Sequence, residues 1–126
     1  MLVGVYILVD DEYGVPIYAD PPPAELDDGV WQAVCEIVQE VLDGEKEVRG
    51  TTPRGENLIG WRSLLKTGIT FVAVVTDDVK SQQVEVYLQK LARRYADEVD
   101  DWRSPDKGGV ADVVVDVIPP WEEDEG

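Results

Sequence analysis

The run Gly68-Ile-Thr-Phe-Val-Ala-Val-Val-Thr-Asp-Asp78 leaves this chain few choices. From Ile69 to Val75 it is apolar and rich in β-branched residues. It lacks the alternation of a half-exposed strand, so it reads as a strand covered on both faces. Such a strand needs neighbours on each side and helices above and below. A second apolar run, Leu2–Val9, makes the same demand.

The other segments supply the neighbours. Asp10-Asp-Glu-Tyr-Gly14 has the content of a tight turn. Val15-Pro-Ile-Tyr-Ala19 then alternates, with Val15, Ile17 and Ala19 on one face. A hairpin follows, and Pro16, having no N–H, assigns its second strand to a sheet edge. After Pro21-Pro-Pro23 the period turns helical from about Ala24 to Asp43. Leu26, Val30, Val34, Ile37, Val38, Val41 and Leu42 form the stripe, Trp31 and Cys35 its border, and Gly44 the cap. A polar strand around Val48, a turn at Pro53–Asn57 and a strand at Leu58–Leu65 form a meander ending in Ile69–Thr76. The weak strand near Val48 suits the opposite edge.

A long helix is predicted from about Asp78 to Asp101, with Val84, Leu88, Leu91 and Tyr95 on its stripe and Asp77 or Asp78 as N-cap. Val110–Ile118 carries Val110, Val113, Val114, Val117 and Ile118 at helical spacing, although its β-branched content favours a strand. The helical reading is preferred. Two central apolar strands, an edge strand marked by Pro16 and a polar edge strand near Val48 give an α+β fold: a five-stranded antiparallel sheet of order 2-1-5-4-3. The first helix covers one face and the C-terminal helices the other. One domain, 1–118, with an acidic tail, 119–126, is expected.

The chain of 126 residues has net charge −16, from 27 acidic against 11 basic residues. That surface repels nucleic acid and anionic lipid. There is no histidine, which removes histidine triads, bases and metal ligands. Asp10-Asp11-Glu12, Asp27-Asp28, Asp77-Asp78 and Asp100-Asp101 are carboxylate pairs of the kind that turns and helix starts recruit. Ser63 and Ser81 have no activating base, and Cys35 reads as a small core hydrophobe. No metal, cofactor or enzymatic activity is expected. One cysteine, no signal-peptide start and no run of ~20 apolar residues imply a cytoplasmic protein.

Tyr6-Ile-Leu-Val9, Gly14-Val-Pro-Ile-Tyr18, Trp61-Arg-Ser-Leu-Leu-Lys-Thr-Gly68, the run to Asp78, and Tyr87-Leu-Gln-Lys-Leu-Ala-Arg-Arg-Tyr95 together resemble the longin domain, within the longin, roadblock and profilin-like group. Gly68, Phe71, Asp77, Tyr87, Leu88, Leu91 and Tyr95 match its recurrent pattern over residues 2–101. Roadblock domains open with a helix, which this chain does not. The resemblance implies a non-enzymatic adaptor or regulator of a small Ras-like GTPase, working as a homo- or heterodimer. No heptads follow residue 101, so a SNARE role is not implied. A profilin- or PAS-like sensor enclosing a small ligand is the alternative. Candidate interface residues are Trp31, Trp102 and Trp121, as aromatic anchors, and Val48, on the open edge.

Overall fold

The computed structural model describes residues 2–9, 17–20, 22–26, 28–42, 47–62, 69–98 and 107–119. The strands are β1 (Leu2–Val9), β2 (Tyr18–Asp20), β3 (Glu47–Thr51), β4 (Asn57–Arg62) and β5 (Ile69–Val75). The helices are α1 (Asp28–Leu42), α2 (Ser81–Glu98) and α3 (Lys107–Asp116). The five described strands join one antiparallel sheet in the order β2-β1-β5-β4-β3, with the two apolar runs inside and the strand near Val48 at an edge as expected.

β5 lies at the centre, and each of its residues is buried. Its side chains alternate between two cores. Ile69, Phe71, Ala73 and Val75 meet α2 and α3, together with Val5, Ile7 and Ile59. Val72 and Val74 meet α1, with Tyr6, Leu8, Val48 and Leu58. Both faces therefore bury apolar area, which explains why neither long run alternates.

α1 presents Val30, Val34, Ile37, Val38 and Val41 to the sheet and leaves Gln32, Glu36, Gln39 and Glu40 exposed. Ile37 sits over Gly50 and Gly60. A Cβ on Gly60 would stand 2.3 Å from Ile37 Cγ2, and one on Gly50 3.1 Å from Ile37 Cδ1. Two glycines thus form a notch that one isoleucine fills.

The β3–β4 connection is set by Thr52. Gly55 N–H donates to Thr52 O at 2.9 Å, and Thr52 N–H donates to Glu56 O at 2.9 Å. Pro53 takes the first central position, and Gly55 adopts φ +89°, where a side chain would be strained. The Thr52 hydroxyl oxygen, itself buried, accepts from the N–H groups of Arg54 and Glu56, each at 3.2 Å.

Four local expectations need correction. A 3-10 turn occupies Pro23–Glu25, where Glu25 N–H donates to Pro22 O, and α1 starts at Asp28 rather than Ala24. Ile17 lies in a bend before β2, so Ile17 packs toward α2 and Ala19 toward α1, not on one face. Asp77 and Asp78 are not helix caps. They form a turn closed by Val79 N–H on Thr76 O, with the Thr76 hydroxyl donating to Asp78. That hydrogen bond, with one from the Asp78 backbone, holds the Asp78 carboxyl below its usual range. α2 begins at Ser81, where Gln83 accepts from Lys80 N–H at 3.3 Å, the glutamine half of a capping box. Ile118 lies beyond α3 and is 53% exposed, while Val110, Val113 and Val117 are buried as the helical spacing required. Gly44, Val15 and Pro16 lie outside the described residues.

Candidate functional site

β3 hydrogen-bonds to β4 on one side only, so its other edge has no sheet partner among the described residues. The pleat determines which groups that edge offers. Thr52 and Glu56 are a hydrogen-bonded pair, and the register continues through Gly50 with Leu58 and Val48 with Gly60. Bonded pairs alternate along an antiparallel ladder, so the main-chain groups of Glu47, Arg49 and Thr51 turn outward. Three N–H and three C=O groups form a template for another strand.

Side chains on this edge are arranged by burial. Val48 is 8% exposed and packs under α1, so it anchors the edge rather than offering a contact of its own. Glu47 and Arg49 share the opposite face, and Arg49 Nε donates to Glu47 Oε1 at 2.9 Å. This acid–base alternation was visible in the sequence as Glu47-Val48-Arg49, yet only the strand register makes it meaningful. Beside the end of β3, Gly29, Gln32, Ala33 and Glu36 of α1 join Thr51, Thr52 and Pro53 around a hollow of about 440 Å³.

Trp31 is half-buried on α1, its ring centroid 5.8 Å from that of Tyr6 at 59°. It leans on β1, whereas Val48 belongs to β3, three strand positions and ~14 Å across the sheet. The structure does not bring these two residues together. Trp102 and Trp121 lie outside the described residues. Trp61 packs partly against the α2 and α3 core.

Titratable groups near these surfaces are tuned by burial. The Tyr6 hydroxyl is pushed up to about 12, first by burial and then by the charges of Asp20 and Glu56. Tyr18 is raised by burial and by Asp20. Burial also pushes the Cys35 thiol up, which keeps it protonated and a poor nucleophile at neutral pH. Among the described residues no group of three or more Cys, Asp and Glu is placed to hold a metal ion. No helix among them is long and apolar enough to cross a membrane.

No protein-family profile, curated protein or solved structure matches this chain. The architecture itself defines the class: a small α+β domain, a five-stranded antiparallel sheet with helices on both faces. Its topology is consistent with a longin, roadblock or profilin-like fold.

Proposed function

We propose that this protein is a non-enzymatic protein–protein interaction module that pairs through the outer edge of β3, first with a second copy of itself. The observation that carries the reading is that open edge, with its ordered charges. A two-fold axis normal to the sheet aligns two β3 strands antiparallel, and charge selects the register. Centred on Arg49, it opposes Arg49 to Arg49 of the partner subunit, which is destabilising. Centred on Val48, it sets Glu47 opposite Arg49 of the partner subunit, twice. Both residues turn their main chain outward, so each pair exchanges two backbone hydrogen bonds. A ten-stranded sheet results, and the hollow beside Thr51 lies along the seam.

The resemblance to longin-like domains supports a small Ras-like GTPase, or a related longin or roadblock subunit, as the further partner. In that role the protein is an adaptor or regulator in the cytoplasm. A hollow of about 240 Å³ between β1, β2 and the α2–α3 layer, lined by Leu2, Val5, Tyr18, Tyr87, Val114 and Val117, keeps the small-ligand sensor as the alternative, while the apolar packing of the rest of both sheet faces favours the interaction module.

Light scattering of the pure protein tests the pairing. The wild type should be a dimer. Arg49→Pro removes an outward N–H that the fold does not use and should give a monomer. Arg49→Glu should do the same by charge, and Glu47→Arg with Arg49→Glu should restore the dimer. A strict monomer at high concentration, or a dimer indifferent to these changes, refutes the edge. Binding to candidate GTPases loaded with GDP or a GTP analogue tests the second partner.

A further inference from the structure

β2 is three residues long and stops at Asp20, before Pro21-Pro-Pro23. β1 runs past it: Val5 pairs with Asp20, and Leu2, Val3 and Gly4 lie beyond that last pair. On its other side β1 is irregular at the same place. Leu2 pairs with Val75 and Gly4 with Val74, so Val3 is the extra residue of a bulge. The bulge resets the alternation of side chains. Leu2 and Val5, three apart, both pack toward α2 and α3, while Val3 packs toward α1. The hollow of about 240 Å³ lies at this corner of the sheet. Leu2, Val5 and Tyr87 give it one apolar wall, and Val114, Val117 and Ile118, at and beyond the end of α3, give another. Tyr18 and Asp20, two apart on β2 and so on one face, supply the polar side. Asp20 is the one charged residue of the lining. It is exposed, and no cation pairs with it among the described residues.

We propose that this hollow binds a small ring-bearing amine, its ring between the two apolar walls and its ammonium on the Asp20 carboxylate and the Tyr18 hydroxyl oxygen. Size sets the first limit. An apolar cavity of ~150 Å³ accepts benzene, so the larger hollow here takes one ring with a short chain. Charge sets the second. An ammonium has three donors and no acceptor, which suits a carboxylate beside a hydroxyl. The net charge of −16 draws cations toward the surface and repels anions. An acid carrying the same ring would bring a like charge to Asp20. Burial, then the charge of Asp20, raises the Tyr18 hydroxyl above its ordinary value, which keeps it protonated at neutral pH. The hollow lies on the β2 side of the sheet, at the far side from β3, so neither the site nor its test depends on pairing through that edge.

Amide nitrogen–proton NMR spectra of the full chain, titrated with phenethylamine, test it. Salt is held at ~0.15 M, where the Debye length of ~8 Å screens carboxylates remote from the site. The expected result is saturable shifts at residues 2–5, 18–20 and 114–118, in a titration carried to ~10 mM because so small a ligand binds weakly. Phenethyl alcohol should bind more weakly, and phenylacetate should leave these signals unmoved. Asp20→Asn alters an exposed group and should weaken the amine about three- to tenfold, removing its advantage over the alcohol. Asp112→Asn makes the same change of net charge on an exposed α3 residue outside the lining, and should leave the affinity as it was. Val114→Phe should fill the hollow and abolish the shifts. Absence of saturable shifts overturns the proposal. So do shifts scattered over the acidic surface, phenylacetate binding as well as the amine, or an affinity that Asp20→Asn and Asp112→Asn change equally.

Discussion

Gly60→Ala tests how α1 is seated. The added Cβ would lie 2.3 Å from Ile37 Cγ2 and 3.6 Å from Val41 Cγ2, where ordinary contact is 3.4–4 Å. Ile37 is 4% exposed, and a β-branched residue in a helix has one strongly preferred rotamer. It cannot swing away, so α1 must lift by about an ångström or Ile37 must strain, at ~1–3 kcal/mol for overpacking. The lower backbone entropy of alanine in the unfolded chain offsets ~0.4–1 kcal/mol of this. A net loss of ~1–2 kcal/mol is expected. Ile37→Ala alone should cost ~2–5 kcal/mol by leaving a cavity. In the double variant the alanine at position 60 no longer collides and fills part of the vacated notch. Urea unfolding of all four proteins, with m-values compared, gives the coupling energy. We expect the double variant to be ~1–2 kcal/mol more stable than the sum of the singles predicts. Additivity within ~0.5 kcal/mol would refute the notch.

Val74→Asp buries an unpaired charge between β5 and α1 and should abolish folding; circular dichroism showing an unchanged melting temperature would contradict the two-core arrangement. Thr52→Val leaves the N–H groups of Arg54 and Glu56 without their acceptor and should cost ~1–3 kcal/mol in chemical denaturation. Tyr6 titrates at about 12 in the folded protein, above its ordinary value of 10.0, so the folded state holds its proton more tightly. Its contribution is complete below pH ~10 and is lost as pH rises toward ~12, at no more than ~1.4 kcal/mol per pH unit for one proton. Tyr6→Phe should therefore flatten the alkaline decline in stability seen by denaturant titration; an unchanged slope would count against this account.

Much of the architecture was legible because burial leaves a record in the pattern. Two runs without alternation had to be central, and they are β1 and β5. The stripe Val110, Val113, Val117 overrode β-branched composition because three buried valines on one face need a helix to bring them together. What stayed hidden depends on contacts between distant residues. No local pattern says that Gly50 and Gly60 receive Ile37. The start of α2 was misread because aspartates serve turns as readily as caps, and Thr76 with Val79 took them for a turn. Val48 lies on the open edge strand but is itself buried, and the outward main-chain groups belong to Glu47, Arg49 and Thr51, a distinction that only register reveals.

The position of β5 also determines when the sheet can close. Among the described residues the one long strand paired with β1 is β5, and its partners lie far along the chain, from Leu2 with Val75 to Val9 with Ile69. On the ribosome β1 is made first and then waits for some 60 further residues, ~3–12 s at ~5–20 residues per second. During that interval Leu2–Val9 is an apolar strand without its main partner, and closing so long a loop is slow compared with forming the β3–β4 hairpin. Synthesis speed and early chaperone contact should therefore govern the yield of folded protein more strongly than its final stability does.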